Sequence, residues 1–290
     1  MISASAPGSI MVTGEHAVVH GYAALVAAID QRAHVSVSGR PGPEIEIHSA
    51  LGNLTAPLGE LRAEGPLRFV VACLLAIEPN EGLRIQITSD IDPTLGLGSS
   101  AAVTIAALGA LARLTGKVVD LHAEALAIVR TLQGRGSGAD LAASLHGGLV
   151  RYQLGHQTEK LSMPPALSLK YVGYKTPTGD VLKLVEEAWE GRDASELYVR
   201  MGTASDAAIA AANARDWAAM AAALDKYQGL MVELGVSDPA LDALVEAGRG
   251  EALAAKISGS GLGDCVLAFG GVPHGWERAK VADQGLLIHD

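Results

Sequence analysis

Aromatic residues make up only 4% of this 290-residue chain, and its two cysteines, Cys73 and Cys265, stand far apart. With so few rings, a core drawn from the 49% hydrophobic content must be built from Ala, Leu, Val and Ile. Isolated cysteines without a CxxC partner exclude a disulfide framework and a zinc knuckle, and make a reducing, cytoplasmic setting the expectation. Positive charge is also scarce: 22 Lys and Arg against 32 Asp and Glu leave a net charge of −10. That balance excludes a general basic surface for nucleic acid or acidic lipid. Gly-Lys-Ser and Gly-Lys-Thr are absent, which removes the Walker type of phosphate loop. The opening MISASAPGSI lacks the basic stretch and apolar run of a signal peptide. The most apolar segment, Ala101 to Ala112, stops at Arg113 and is too short to cross a bilayer. The expectation is a soluble globule with neither a nucleic-acid nor a membrane partner.

Periodicity then gives the class. Ile45 and Ile47 alternate with Glu44, Glu46 and His48, and Leu83, Ile85 and Ile87 alternate with Arg84, Gln86 and Thr88. Such alternation marks half-exposed strands, the habit of antiparallel sheets. Helices are expected at about Pro66 to Ile77, Ser100 to Thr115 with Gly116 as its C-cap, Leu121 to Gln133 and Ala139 to Leu145. Beyond Gly148 the pattern predicts strands at Leu149 to Leu154, Leu169 to Gly173 and Cys265 to Phe269. Helices follow near Val181 to Glu190, Ser195 to Ala214 and Trp217 to Leu234. The fold class is α+β with two lobes, residues 1–150 and 151–290. The first should carry a mainly antiparallel sheet with helices and the second an α+β unit.

Glycine is the residue in excess, 34 in all, and much of it is clustered. Pro93-Thr94-Leu95-Gly96-Leu97-Gly98-Ser99-Ser100-Ala101-Ala102 joins an alternating strand to an apolar helix. Gly96 and Gly98 lack Cβ atoms, so backbone N–H groups can converge there on an anion. Ser99 or Ser100 can cap the helix, whose N-terminal dipole adds positive potential. The plainer reading is a tight turn with a serine cap. Gly96, Gly98 and Ala101 also satisfy G-x-G-x-x-A, with Asp120 about 20 residues on, but a dinucleotide site wants a buried strand running straight into the loop. A second cluster, Gly134 to Asp140, would place Asp140 in the first turn of a helix, where the dipole favours its ionised form. A carboxylate beside an anion loop suits orienting or deprotonating an attacking hydroxyl, although taken alone it reads rather as a helix-start residue. The third cluster, Lys256 to Cys265, contains Gly259, Ser260 and Gly261 and reads as a cleft wall or a strand connection. In Gly14 to Gly21, His16 and His20 stand at i and i+4, but no third ligand has motif spacing. Hydrogen bonding to a polar substrate is favoured over metal binding.

These pieces, in this order, resemble the GHMP kinase superfamily, with residues 6 to 265 carrying the likeness. Pro93 to Ala102 looks like its second motif and Lys256 to Cys265 like its third. Gly14 to Gly21, continued by Tyr22 to Leu25, and Ser137 to Asp140 with Gly147-Gly148 are most similar to the mevalonate kinase branch. The resemblance implies ATP- and Mg2+-dependent transfer of a phosphoryl group to the 5-hydroxyl of mevalonate, a small-molecule substrate. It further implies Asp140 as catalytic base, Leu95, Gly96, Leu97, Gly98, Ser99 and Ser100 as the nucleotide loop, and Ser100 as a magnesium ligand. Glu15, His16 and Thr178 would lie at the acceptor, with Gly259, Ser260 and Gly261 in the third-motif loop. A homodimer stays open.

Three positions depart from that pattern. Ser9 follows Ala6-Pro7-Gly8 where such kinases carry lysine, Val129 replaces a magnesium-binding glutamate, and Asp264 replaces glycine. Glu124 lies about 140° around the same helix from Val129 and is a poor substitute. Lys175 or Arg135 could supply a missing cation. Another small hydroxy acceptor, such as phosphomevalonate, a sugar or an amino-acid alcohol, and a catalytically silent nucleotide-binding relative are the alternatives.

Overall fold

The computed structural model describes residues 1–92 and 95–290; Pro93 and Thr94, which open the second motif, lie outside the described residues. The first half of the chain lays down β1 (Ile2–Thr13), β2 (Ala24–Arg40), β3 (Glu44–Ser49), β4 (Gly52–Pro57), α1 (Arg68–Ile77) and β5 (Gly82–Ser89). Next come α2 (Ser99–Thr115), α3 (Leu121–Gln133), α4 (Ala139–His146), β6 (Leu149–Tyr152) and β7 (Glu159–Leu161). The remainder forms β8 (Leu167–Tyr171), α5 (Thr178–Ala188), α6 (Ser195–Ala214), α7 (Trp217–Leu234) and α8 (Pro239–Arg249). It closes with β9 (Ala254–Ser258), β10 (Cys265–Phe269), β11 (Glu277–Ala279) and β12 (Leu287–His289). The class is α+β, as expected.

Among the described residues one sheet has eight strands in the order β12-β1-β2-β5-β3-β4, with β6 on β2 and β7 on β6. β2 organises it. Along one edge β2 pairs with β1 over most of its length; along the other, Ala24 to Ala27 meet β6 and Ala33 to Arg40 meet β5. The two alternating strands, β3 and β5, are adjacent but parallel, Ile45 opposite Leu83 and Ile47 opposite Ile85. Alternation thus identified half-buried strands correctly without fixing their mutual direction, because it reports only that one face meets the core. The second sheet is antiparallel, β11-β8-β10-β9.

The scarcity of rings is answered by close helix packing. α2 buries Ala101, Ala102, Ile105 to Leu108 and Ala110 to Ala112, so its small side chains let β1, β2, α1 and α4 approach it from several sides. Gly116, at φ 69°, ends it in the left-handed conformation expected of a C-cap. One apolar cluster bridges the two sheets, joining Ile10, Val12 and Leu25 to Leu267 and Phe269, with Leu97 and Ala102 among its members. The loop before α2 is therefore anchored where the sheets meet. The described helices include none long and apolar enough to cross a membrane.

Candidate active site

The loop leading into α2 receives side chains from β1 and from the third motif. A Cβ at Gly98, where φ is 66°, would sit 2.0 Å from Ser9 Oγ. One at Gly96, φ 70°, would sit 2.9 to 3.1 Å from the carboxyl group of Asp264. Glycine is needed at these two positions for close approach as well as for the left-handed backbone. The backbone of β1 completes the clamp, with Ser9 N–H donating to Leu97 O at 3.1 Å. Neither Ser99 nor Ser100 caps α2. The N-cap is Gly98, with no side-chain hydrogen bond, so the first-turn N–H groups are not claimed by a cap and remain suited to an anion. The Rossmann alternative fails on geometry: β5 ends at Ser89, well before the loop, and Asp120 is the N-cap of α3, accepting from Ala123 N–H at 3.0 Å.

Asp140 lies in the first turn of α4 and is brought to the same place. Buried Ser9 donates its hydroxyl to Asp140 Oδ1 at 2.7 Å across a separation of 131 residues. Loss of solvent raises the pKa of Asp140 above the ordinary aspartate value, with the Ser9 hydrogen bond opposing that shift. The expected lowering by the helix dipole is outweighed by burial. A carboxylate so placed has the chemistry of a proton acceptor.

Glu15 and His16 are not exposed toward the cleft. Glu15 is 3% exposed and its Oε1 accepts from Lys256 Nζ at 2.5 Å, while Lys256 lies 5.4 Å from the ring centroid of Tyr227. The Tyr227 hydroxyl donates to Glu15 O at 2.7 Å. Burial lowers the pKa of Lys256, and Glu15 opposes that shift. His16 Nε2 meets Ser260 O at 2.8 Å, tying the first motif to the third, while its Nδ1 is buried without a partner. His20 points elsewhere and stacks on Tyr198 with centroids 3.9 Å apart. Ser260 and Gly261 form the turn between β9 and β10, and Leu262 N–H donates to Val236 O at 2.9 Å. Gly259 faces Asp264, whose Oδ2 is 3.8 Å from the position a Cβ would take.

Thr178 opens α5 and is exposed, whereas Thr176 donates to Leu262 O at 2.5 Å in the third loop. Nothing in the spacing of Pro177-Thr178-Gly179 distinguishes the two threonines; only the path of the chain from β8 to α5 does. Of the two candidate cations, Lys175 reaches the site, its Nζ 3.5 Å from Asp264 Oδ1, while Arg135 pairs with exposed Glu186 at 3.3 Å. Val129 packs toward Gly136, and Glu124 is close enough to Cys73 to help raise that thiol's pKa. No carboxylate from α3 therefore takes the place of a glutamate at position 129. The described residues contain no cluster of three His, Cys, Asp or Glu able to hold a metal. The Ser100 hydroxyl, in the first turn of α2, is an oxygen donor of the kind a magnesium ion takes when phosphate and water complete its shell.

Comparison with known proteins matches this arrangement to one family. Residues 68–148 match the GHMP kinases N terminal domain, 208–282 the GHMP kinases C terminal domain, and 2–39 the galactokinase galactose-binding signature. The mevalonate kinase of Pyrococcus furiosus is 31% identical over 92% of this chain and 89% of its own length. That of Aeropyrum pernix is 31% identical over 99% and 98%. Among solved structures, the Lin0012 protein of Listeria innocua superposes with a TM-score of 0.88 at 21% identity, covering 100% and 99% of the two chains. The Methanococcus jannaschii mevalonate kinase gives 0.78 at 23%, covering 93% and 90%. Lactococcus lactis galactokinase complexed with galactose gives 0.81 at 15%, covering 99% and 95%. On these matches the chain belongs to the GHMP kinase family, ATP-using phosphotransferases with an alcohol group of a small molecule as acceptor.

Proposed function

We propose that this kinase transfers the γ-phosphoryl group of ATP to the 5-hydroxyl of mevalonate. The observation that carries the reading is the set of relatives named mevalonate kinase, about 30% identical across nearly the whole chain. In this reading the nucleotide's phosphates lie on residues 95–100, met by backbone N–H groups and the N-terminus of α2, so the net charge of −10 is no obstacle. Asp140 is the base. The acceptor oxygen attacks the γ-phosphorus, the bond from phosphorus to the β,γ-bridging oxygen breaks, ADP leaves with that electron pair, and the hydroxyl proton passes to Asp140. Ser100 would hold magnesium, with phosphate and water completing its shell, and the ion would supply charge neutralisation for the phosphates. Ser9 orients the Asp140 carboxylate, and Glu15, Lys256 and His16 hold the first and third loops together around the acceptor.

An ADP-release assay across mevalonate, phosphomevalonate, galactose and homoserine tests the substrate. A kcat/KM for mevalonate well above the others is expected. Preference for galactose, which the galactose-binding signature over residues 2–39 would favour, overturns the assignment. Ser9→Ala removes the hydrogen bond that lowers the pKa of Asp140. Because the base acts ionised, the acid limb of the kcat profile should move to higher pH while the alkaline plateau changes little. An acid limb that stays in place would dissociate Ser9 from the base.

A further inference from the structure

Asp264 is the least expected feature of the site. Its carboxylate is a negative charge placed between two glycine loops that the kinase reading reserves for phosphate: against Gly96 of the second motif and 3.8 Å from the Cβ position of Gly259 in the third. The residue is 6% exposed and sits at φ 61°, a left-handed conformation that Asp and Asn tolerate better than most side chains. A structural clip would be expected to draw N–H donors from the loops it joins. Instead Asp264 Oδ1 is buried without a hydrogen-bond partner, and its neighbouring charge is Lys175 at 3.5 Å. The backbone around Lys175 is held to the third loop, with Asp264 N–H donating to Tyr174 O at 3.0 Å and the Thr176 hydroxyl to Leu262 O. The Lys175 side chain remains 36% exposed, on a flexible stem that can reach a second anion.

We propose that Lys175 and Asp264 form an internal counter-ion pair at the phosphate end of the nucleotide site. Asp264 occupies the anion's place and holds Lys175 beside the loop; an arriving polyphosphate repels the carboxylate and takes Lys175 as its own partner. Lys175 thereby stands in for the cation absent at Ser9, while Asp264 holds the nucleotide affinity below what the glycine loops and Lys175 would give without it. This rests on reading residues 95–100 as the phosphate cradle, not on which alcohol is phosphorylated.

Calorimetric titration of the full-length enzyme with ATP, ADP and adenosine tests it. Asp264→Asn keeps the size and the left-handed backbone, and should tighten ATP binding about 10-fold, ADP less, and adenosine not at all, since the lost repulsion scales with phosphate charge. Lys175→Met should weaken ATP about 10-fold with the same ordering, and Lys175→Arg should restore most of it. Unchanged or weaker ATP binding by Asp264→Asn overturns the pair, as does an equal effect on adenosine. If the unmodified enzyme binds ATP no better than adenosine, the phosphate cradle itself is wrong, so the two failures are distinguishable.

Discussion

Asp140→Asn should lower kcat by about 10²- to 10⁴-fold, the range lost when a general base is removed. The substitution is conservative for structure, because Asn Oδ1 can still accept from Ser9, which donates at 2.7 Å in the parent. KM for ATP should therefore change little, since the loop before α2 is held by Ser9, Leu97 and the sheet junction and not by this carboxylate. Stability supplies a control with a definite sign. Burial raises the folded-state pKa of Asp140, so the folded protein binds the proton more tightly than the unfolded chain. The stabilisation this gives at low pH is lost as pH rises through the folded pKa. Above that point the parent carries a buried charge that the Asn variant lacks, and the variant should be at least as stable. Steady-state assay and urea unfolding between pH 4 and 8 read both effects. Undiminished kcat would remove Asp140 from the chemistry, and a large loss of stability at pH 8 would make its role structural.

Lys256→Met should destabilise the protein by about 3 to 5 kcal/mol, because it strands the Glu15 carboxylate in an apolar setting. The side chains of the pair are 1% and 2% exposed, and Glu15 Oε2 already lacks a partner, so no water-facing route relieves the charge. The pair spans 241 residues and joins the first motif to the first strand of the third, so its loss should loosen both loops. Glu15→Gln in the same chain should recover much of the deficit, since it is the unpaired charge, not the missing lysine, that costs most. Urea unfolding of the two single variants and the double variant measures this coupling. A loss under about 1 kcal/mol for Lys256→Met would mean that Glu15 is not a buried ion in the folded protein.

How much of this was legible beforehand varied with the range of the interactions. α3, α6 and α7 fall where their periodicity places them, Leu121–Gln133, Ser195–Ala214 and Trp217–Leu234, since amphipathic patterns and caps are local. α8 was missed, although Asp238 caps it and Pro239 occupies its first position, a start signal that short helices often carry. β8 was displaced by two residues, because a run such as Leu167 to Tyr171 has no boundary of its own until β10 and β11 pair with it. The serine cap on α2 was wrong because Gly98, in a left-handed conformation, takes the cap position itself.

The identity of the motifs, the need for glycine in the second loop, and the candidacy of Asp140 were legible in the sequence alone. Each is written in residues within a few positions of one another. The tertiary structure decided the partners. Ser9 meets Asp140 because α4 packs on β1, Lys175 meets Asp264 because β8 pairs with β10, and Lys256 meets Glu15 and His16 meets Ser260 because the two sheets close against each other through a shared apolar core. Pairings across 89 to 244 residues leave no mark on local spacing, since hydrogen bonds and ion pairs act over a few ångströms and chain folding sets who is near. In an acidic chain with 34 glycines, the few that matter here, Gly96, Gly98 and Gly259, are the points where the second loop meets β1 and the third loop.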